Sequence, residues 1–147
     1  MLHTANELRS LITLLRDAAP DIAWQEAYGP GKWRRVQLLG HLVDSAVNNH
    51  QRFVRALIEP ALHFPAYRQE ESVAVQAYDV YGAAPLLELW ANLNTLIAHI
   101  IERIPPYKLQ TPCTIGGDET VPLSFLVEDY NRHLIHHLRQ ILPENTL

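Results

Sequence analysis

The chain has 147 residues, 48% hydrophobic and 19% charged, which suits one domain with a substantial core and excludes a disordered chain. Its formal net charge is −4 and no Lys/Arg-rich stripe appears, so nothing draws a phosphate backbone and nucleic acid is not an expected partner. A single cysteine, Cys113, rules out an intrachain disulfide and favours a reducing compartment. The opening MLHTANELRS lacks the basic-then-apolar order of a signal peptide, and no apolar run reaches the roughly 18 residues of a membrane span. The expectation is a cytoplasmic protein with no membrane partner.

Helical periodicity occurs four times. Leu8, Leu11, Ile12 and Leu15 form one stripe and predict a helix over about 2–18, stopped before Pro20. Residues 20–33 hold Pro20, Gly29, Pro30 and Gly31 and read as a loop. A second helix is predicted over about 34–59, ahead of Pro60, and a third over about 84–104, ended by Pro105 and Pro106. The fourth runs over about 120–142, with Thr120 as a cap and Pro122 in its first turn. Between the second and third lies a connection with a short helix at about 70–78. Between the third and fourth, Thr114-Ile115-Gly116-Gly117-Asp118 reads as a turn or small hairpin. With no strand-rich region, the fold class expected is all-α, a four-helix bundle in one domain over 1–147.

Eight histidines stand out in a chain this short. His133, His136 and His137 lie within two turns of the fourth helix. His133 and His137, four apart, sit one above the other, so both can reach one ion. The stripe Leu123, Leu126, Val127, Tyr130, Leu134, Leu138, Ile141 places His137 on the buried face, His133 on its flank and His136 toward solvent. HxxxH alone describes equally well a buried hydrogen-bonded histidine beside a solvated one, and Leu134 stands where a zincin has its glutamate. On the second helix, periodicity puts His41 in a polar strip with Gln37, Asp44, Asn48, Arg52 and Arg55. Between Gln37 and Asn48 that strip holds one charge, Asp44, which is sparse for a solvated face and equally suits the lining of a wet pocket.

The run Gly31-Lys32-Trp33, then Gly40-His41-Leu42-Val43-Asp44-Ser45, then Asn49-His50-Gln51-Arg52-Phe53 resembles the DinB/YfiT-like family. So does Asp129-Tyr130 followed by His133-Leu134-Ile135-His136-His137 and Gln140-Ile141. The resemblance covers essentially the whole chain. It implies an up-down-down-up four-helix bundle binding a divalent ion through one histidine of the second helix and the HxxxH pair of the fourth, here His41, His133 and His137. It also implies the family's range of metal-dependent hydrolases and thiol S-transferases.

Three histidines leave a coordination position open, as catalytic sites do, and a cation there lowers the pKa of a water or thiol. Imidazole suits zinc, nickel or iron; zinc or nickel is the expectation, with a low-molecular-weight thiol as a second cofactor if the reaction is thiol transfer. Asp44, Asn48 and Asp129 suit orienting a ligand or lining the pocket and equally a plain surface or helix-pairing role; Arg52 and Arg55 are in reach of an anionic substrate, but a solvated arginine is the better reading of both. Gln69, Gln76 and Tyr78 are placed over the pocket mouth. No side chain is assigned a catalytic role, and Cys113 has no histidine to act as its base. The partner expected is a small-molecule substrate, with a homodimer left open. The alternative is a non-catalytic metal-binding or stress-associated bundle.

Overall fold

Four long helices form where the periodicity places them in the computed structural model, which describes residues 1–117, 119–144 and 146–147. They are α1 (Leu2–Ala18), α2 (Arg35–Ile58), α5 (Ala83–Ile101) and α6 (Leu123–Ile141), with the short α3 (Gln69–Gln76) and α4 (Tyr78–Tyr81) between α2 and α5. The start of α2 is held by Gln37 Oε1, which accepts from the Arg34 backbone N–H at 2.9 Å and occupies a donor that the helix itself leaves unpaired. The third long helix stops at Ile101, short of the expected 104, because Ile104 precedes Pro105 and is driven out of the helical region.

Pairings across the bundle fix the helix directions. Arg9 meets Glu102 at 2.6 Å and Arg16 meets Glu88 at 2.8 Å, so α1 and α5 are antiparallel. His41 lies against His137, and Phe53 against Tyr130, so α2 and α6 are antiparallel too. Asn131 donates to the Thr4 carbonyl and to Glu7, joining the start of α1 to the middle of α6. Leu8, Leu15, Leu39, Phe53, Trp90, Ile97, Leu134 and Leu138 fill the space between the four helices. Burial of this kind contributes roughly 25 cal/mol per Å² of apolar surface and is the main force holding the bundle.

The structure corrects the all-α expectation. Beside the helices stands a three-stranded sheet, β1 (Leu62–Phe64), β2 (Pro112–Ile115) and β3 (Val121–Pro122). The first pair is parallel, with Leu62 opposite Cys113, and the second is an antiparallel hairpin. Its turn uses Gly116 at φ +64°, the left-handed region that suits glycine, while Asp118 lies outside the described residues. Because Val121–Pro122 is strand, α6 begins at Leu123, and Thr120 is not its cap; the Thr120 hydroxyl instead pairs with that of Thr114 at 2.8 Å. The sheet closes one end of the groove between α2 and α6. No helix among the described residues is long and apolar enough to cross a membrane.

Candidate metal centre

The first half of α2 has no solvent face. Leu38 to Ala46 are all buried, because α5 and α6 flank the helix and α3 and α4 cover it. His41 is 0% exposed, and its ring lies 5.5 Å from that of Trp33. Of the two readings its sequence position allowed, the structure therefore shows the internal one.

On α6, His133 and His137 are half-buried one turn apart, their rings meeting edge to face with 4.5 Å between centroids. His133 Nε2 lies 3.2 Å from His41 Nε2 and 3.2 Å from His137 Nε2. The donor atoms of the three histidines all fall within 4.8 Å of one another. Two nitrogens bound to one tetrahedral ion at about 2.0–2.1 Å are about 3.3–3.4 Å apart, close to what is seen. His136 is exposed, pairs with Gln140 through Nε2 at 3.2 Å, and stands outside the trio.

The proton assignments also point to an ion. His137 Nδ1 donates to Gln140 Oε1 at 2.8 Å, which leaves its Nε2 as a bare lone pair facing His133. His41 Nδ1 is buried with no hydrogen-bond partner among the described residues. A neutral His41 must either bury that nitrogen's proton unpaired or point an N–H at His133. His133 Nε2 can offer one proton to only one neighbour at a time. No choice of tautomers satisfies all three rings, whereas a cation at their centre would accept all three Nε2 lone pairs. The residues therefore fit a divalent ion. Gln140 holds His137 in the tautomer that suits ligation, a role its spacing of three residues from His137 signals.

Burial keeps the trio neutral. Loss of hydration, reinforced by His133 and His137, pushes the His41 pKa down to about 3. Loss of hydration and His137 push His133 down to about 4, against a smaller opposing pull from Asp129. His137 is lowered by burial too, with Gln140 opposing.

Two cavities flank α2, and they divide the other candidate residues. One, of about 240 Å³, opens beside His133 and is lined by Ser45, Asn49, Arg52, Tyr67, Gln69 and Asp129 among others. Arg52, Asp129 and Gln69 are thus in the histidine cavity. The other faces α5 and is lined by Asp44, Asn48, Gln76 and Tyr78 among others. Asp44 accepts hydrogen bonds from Ser72 at 2.9 Å, Gln76 at 2.8 Å and Tyr78 at 2.6 Å, and among the described residues it reaches no histidine ring. Asn48 donates to the Asp44 carbonyl at 2.9 Å. Asp44 therefore fastens α3 and α4 to α2, and Asn48 bonds within α2, rather than either orienting the trio. Arg55 is exposed and lies over the Phe64 ring. Ser45, Asn49 and Tyr67 had given no sign of lining a site: two sit on a buried helix face and one in a loop. Cys113 is buried on β2 and its thiol is pushed up to about 11, so it offers no nucleophile near neutral pH.

The model of the DinB superfamily matches residues 3–141. This chain belongs to the DinB superfamily. Among solved structures it is similar to YfiT from Bacillus subtilis, described as a probable metal-dependent hydrolase with an unusual four-helix bundle topology. The TM-score is 0.84 at 20% identity, covering 95% of this chain and 82% of YfiT, so the likeness is one of fold. No curated protein matches the chain. Within the DinB superfamily fold, the antiparallel pairing of α2 and α6 sets a histidine from one helix opposite an i, i+4 pair on the other.

Proposed function

We propose that this DinB-superfamily protein is a metal-dependent enzyme acting on a small molecule, by hydrolysis or by thiol S-transfer. In this reading His41, His133 and His137 hold one divalent ion, zinc or nickel. The observation that carries it is the meeting of three neutral imidazole nitrogens beside a cavity that His133 lines, with no acidic or cysteine side chain joining them among the described residues. Such a donor set leaves a coordination position open, and the ion supplies Lewis acidity there.

The chain's own residues do the rest. Gln140 fixes the His137 tautomer, and burial keeps the rings unprotonated near neutral pH. Tyr67, its phenol pushed up to about 12, stays a neutral hydrogen-bond donor at the cavity wall. No side chain of the cavity is a cysteine, so thiol transfer would use an external low-molecular-weight thiol. The single cysteine favours the reducing cytoplasm as its location.

The test has two stages. Metal-free protein is titrated with zinc, nickel and cobalt, and cobalt absorption bands reporting nitrogen ligation should appear in wild type and not in His41→Ala. The loaded protein is then screened with thiol–electrophile pairs beside an ester and amide panel. Stoichiometric binding without turnover in either panel would favour the non-catalytic module; no binding at all would end the metal reading.

A further inference from the structure

We propose that the cavity beside His133 is a subsite for a small carboxylate, with Arg52 as its anion-binding residue, so that the substrate is a small organic acid held with its acid group away from the histidines. The inference names the substrate class of the proposed enzyme, and rests on that reading for what meets the substrate's other end.

The cavity is lined by His133 from α6 and by Arg52 further along α2. Ser45, Asn49 and Arg52 follow His41 along α2 at intervals of four, eight and eleven residues, which keeps them on one face. The antiparallel α6 brings His133 and Asp129 alongside. From Ser45 to Arg52 the helix rises roughly 10 Å, enough for a molecule of a few bonds to span. The volume of about 240 Å³ is below the roughly 300–1,000 Å³ of ligand pockets in general, which restricts the occupant to a small molecule.

Arg52 lacks the partner a half-buried cation ordinarily has. It forms no ion pair among the described residues, and its Nε is buried with no hydrogen-bond partner among them. Its only side-chain hydrogen bond among the described residues is a long one, Nη1 to Asn49 Oδ1 at 3.4 Å. A guanidinium does not escape by losing its proton near neutral pH, so burying it unpaired is costly, and the structure leaves that cost for a ligand to relieve. Its plane is supported by Phe64 of β1, whose ring centroid lies 5.5 Å from Cζ. A planar fork held against a ring matches the two oxygens of a carboxylate.

The other groups narrow the choice of anion. Asp129 lines the same cavity, and Arg132 at 3.0 Å only partly neutralises it on the exposed side. One cation facing one nearby carboxylate suits a monoanion better than a phosphate dianion, which Asp129 would repel. Ser45, Asn49 and Tyr67 supply uncharged polar groups along the wall.

The test uses butyrate and the size-matched, uncharged butyramide on metal-free protein at low salt, followed by calorimetry. Wild type should bind butyrate at least about tenfold more tightly than butyramide, the discrimination expected of a charge-assisted hydrogen-bonded pair. Arg52→Met should bring that ratio to about one, while leaving butyramide affinity little changed. Equal affinity in wild type, or a preference that survives in Arg52→Met, would overturn the proposal. Should Arg52→Met not fold, the Arg52 Nε–H resonance, identified by its absence in Arg52→Lys, decides: it shifts with butyrate and not with butyramide, and an unmoved signal overturns the subsite. Zinc titration of the same samples separates the two readings. Zinc binding without butyrate preference sinks the carboxylate subsite alone, and butyrate preference without zinc binding sinks the metal reading alone.

Discussion

The ring of Tyr78 lies so close to the backbone at Gly40 that a Cβ on Gly40 would fall 2.0 Å from its Cδ2. No other residue type fits beneath that ring without displacing α4, and the position immediately precedes His41. Gly40→Ala gains up to about 1 kcal/mol of helix propensity but forces an overpacked contact costing about 1–3 kcal/mol. A net loss of stability is therefore expected, seen as a lower midpoint in chemical denaturation. Tyr78→Ala in the same background should remove the clash, so that Gly40→Ala becomes neutral or stabilising there. A Gly40→Ala protein as stable as wild type would contradict the geometry.

Asp44 ties the cover to the bundle. It is 7% exposed, has no basic partner among the described residues, and accepts from Ser72, Gln76 and Tyr78. These bonds also draw Tyr78 out of ionisation: burial first and then the Asp44 carboxylate raise its pKa far above that of free tyrosine. On α3 only Val73 is buried, so little apolar surface holds this segment down. Asp44→Ala removes an acceptor from three donors at about 1–3 kcal/mol, hydrogen bonds to a charged group being the stronger kind. Amide exchange should rise across residues 69–81 while the long helices stay protected. Uniform loss of protection along the whole chain would mean Asp44 stabilises the core instead.

How legible all this was in the sequence depends on length and partner. The long helices announce themselves because their stripes repeat over four turns or more, and α1 matches its expected span of 2–18. Of the sheet only the β2–β3 hairpin was foreshadowed, by Gly116-Gly117; the strands themselves were not, because β1 has three residues and β3 two, too few for an alternation of period two to register. His41 fell in a polar strip whose side was undecidable. What buries it is Trp33, ahead of α2, together with the His133 and His137 rings of α6, partners that no stripe on α2 itself announces. For the same reason Asp44 and Asn48, in register with His41, proved to face the other cavity. The trio itself was readable only as a joint pattern, one histidine after Gly31-Lys32-Trp33 with an HxxxH pair near the C-terminus.

The neutral histidines make stability depend on pH. In the unfolded chain each titrates near 6.5, but in the folded protein His41 is held down at about 3 and His133 at about 4. The unfolded state therefore binds more protons between those limits, and falling pH favours unfolding. Metal-free protein should hold full stability above pH 6.5 and lose it progressively down to about pH 4. The slope is up to about 1.4 kcal/mol per pH unit for each histidine that stays neutral. His41→Phe should unfold with a shallower slope by about one proton in the same window. An unchanged slope would mean that His41 protonates in the folded state.

Metal linkage discriminates the members of the histidine cluster. An ion that binds only the folded state adds about 2.7 kcal/mol at a hundredfold excess over its dissociation constant, which raises the melting temperature of a domain this size by about 5–10 °C. His136 is exposed and stands outside the trio, so His136→Ala should keep that increment. His137→Ala removes a donor from the trio and should lose it. Gln140→Leu tests the support behind the ligand: it frees the His137 tautomer held by a 2.8 Å bond, and metal affinity should fall about 10–100-fold while the metal-free melting point changes little. Equal increments in His136→Ala and His137→Ala would show that the ion, if bound, is not held by the pair on α6.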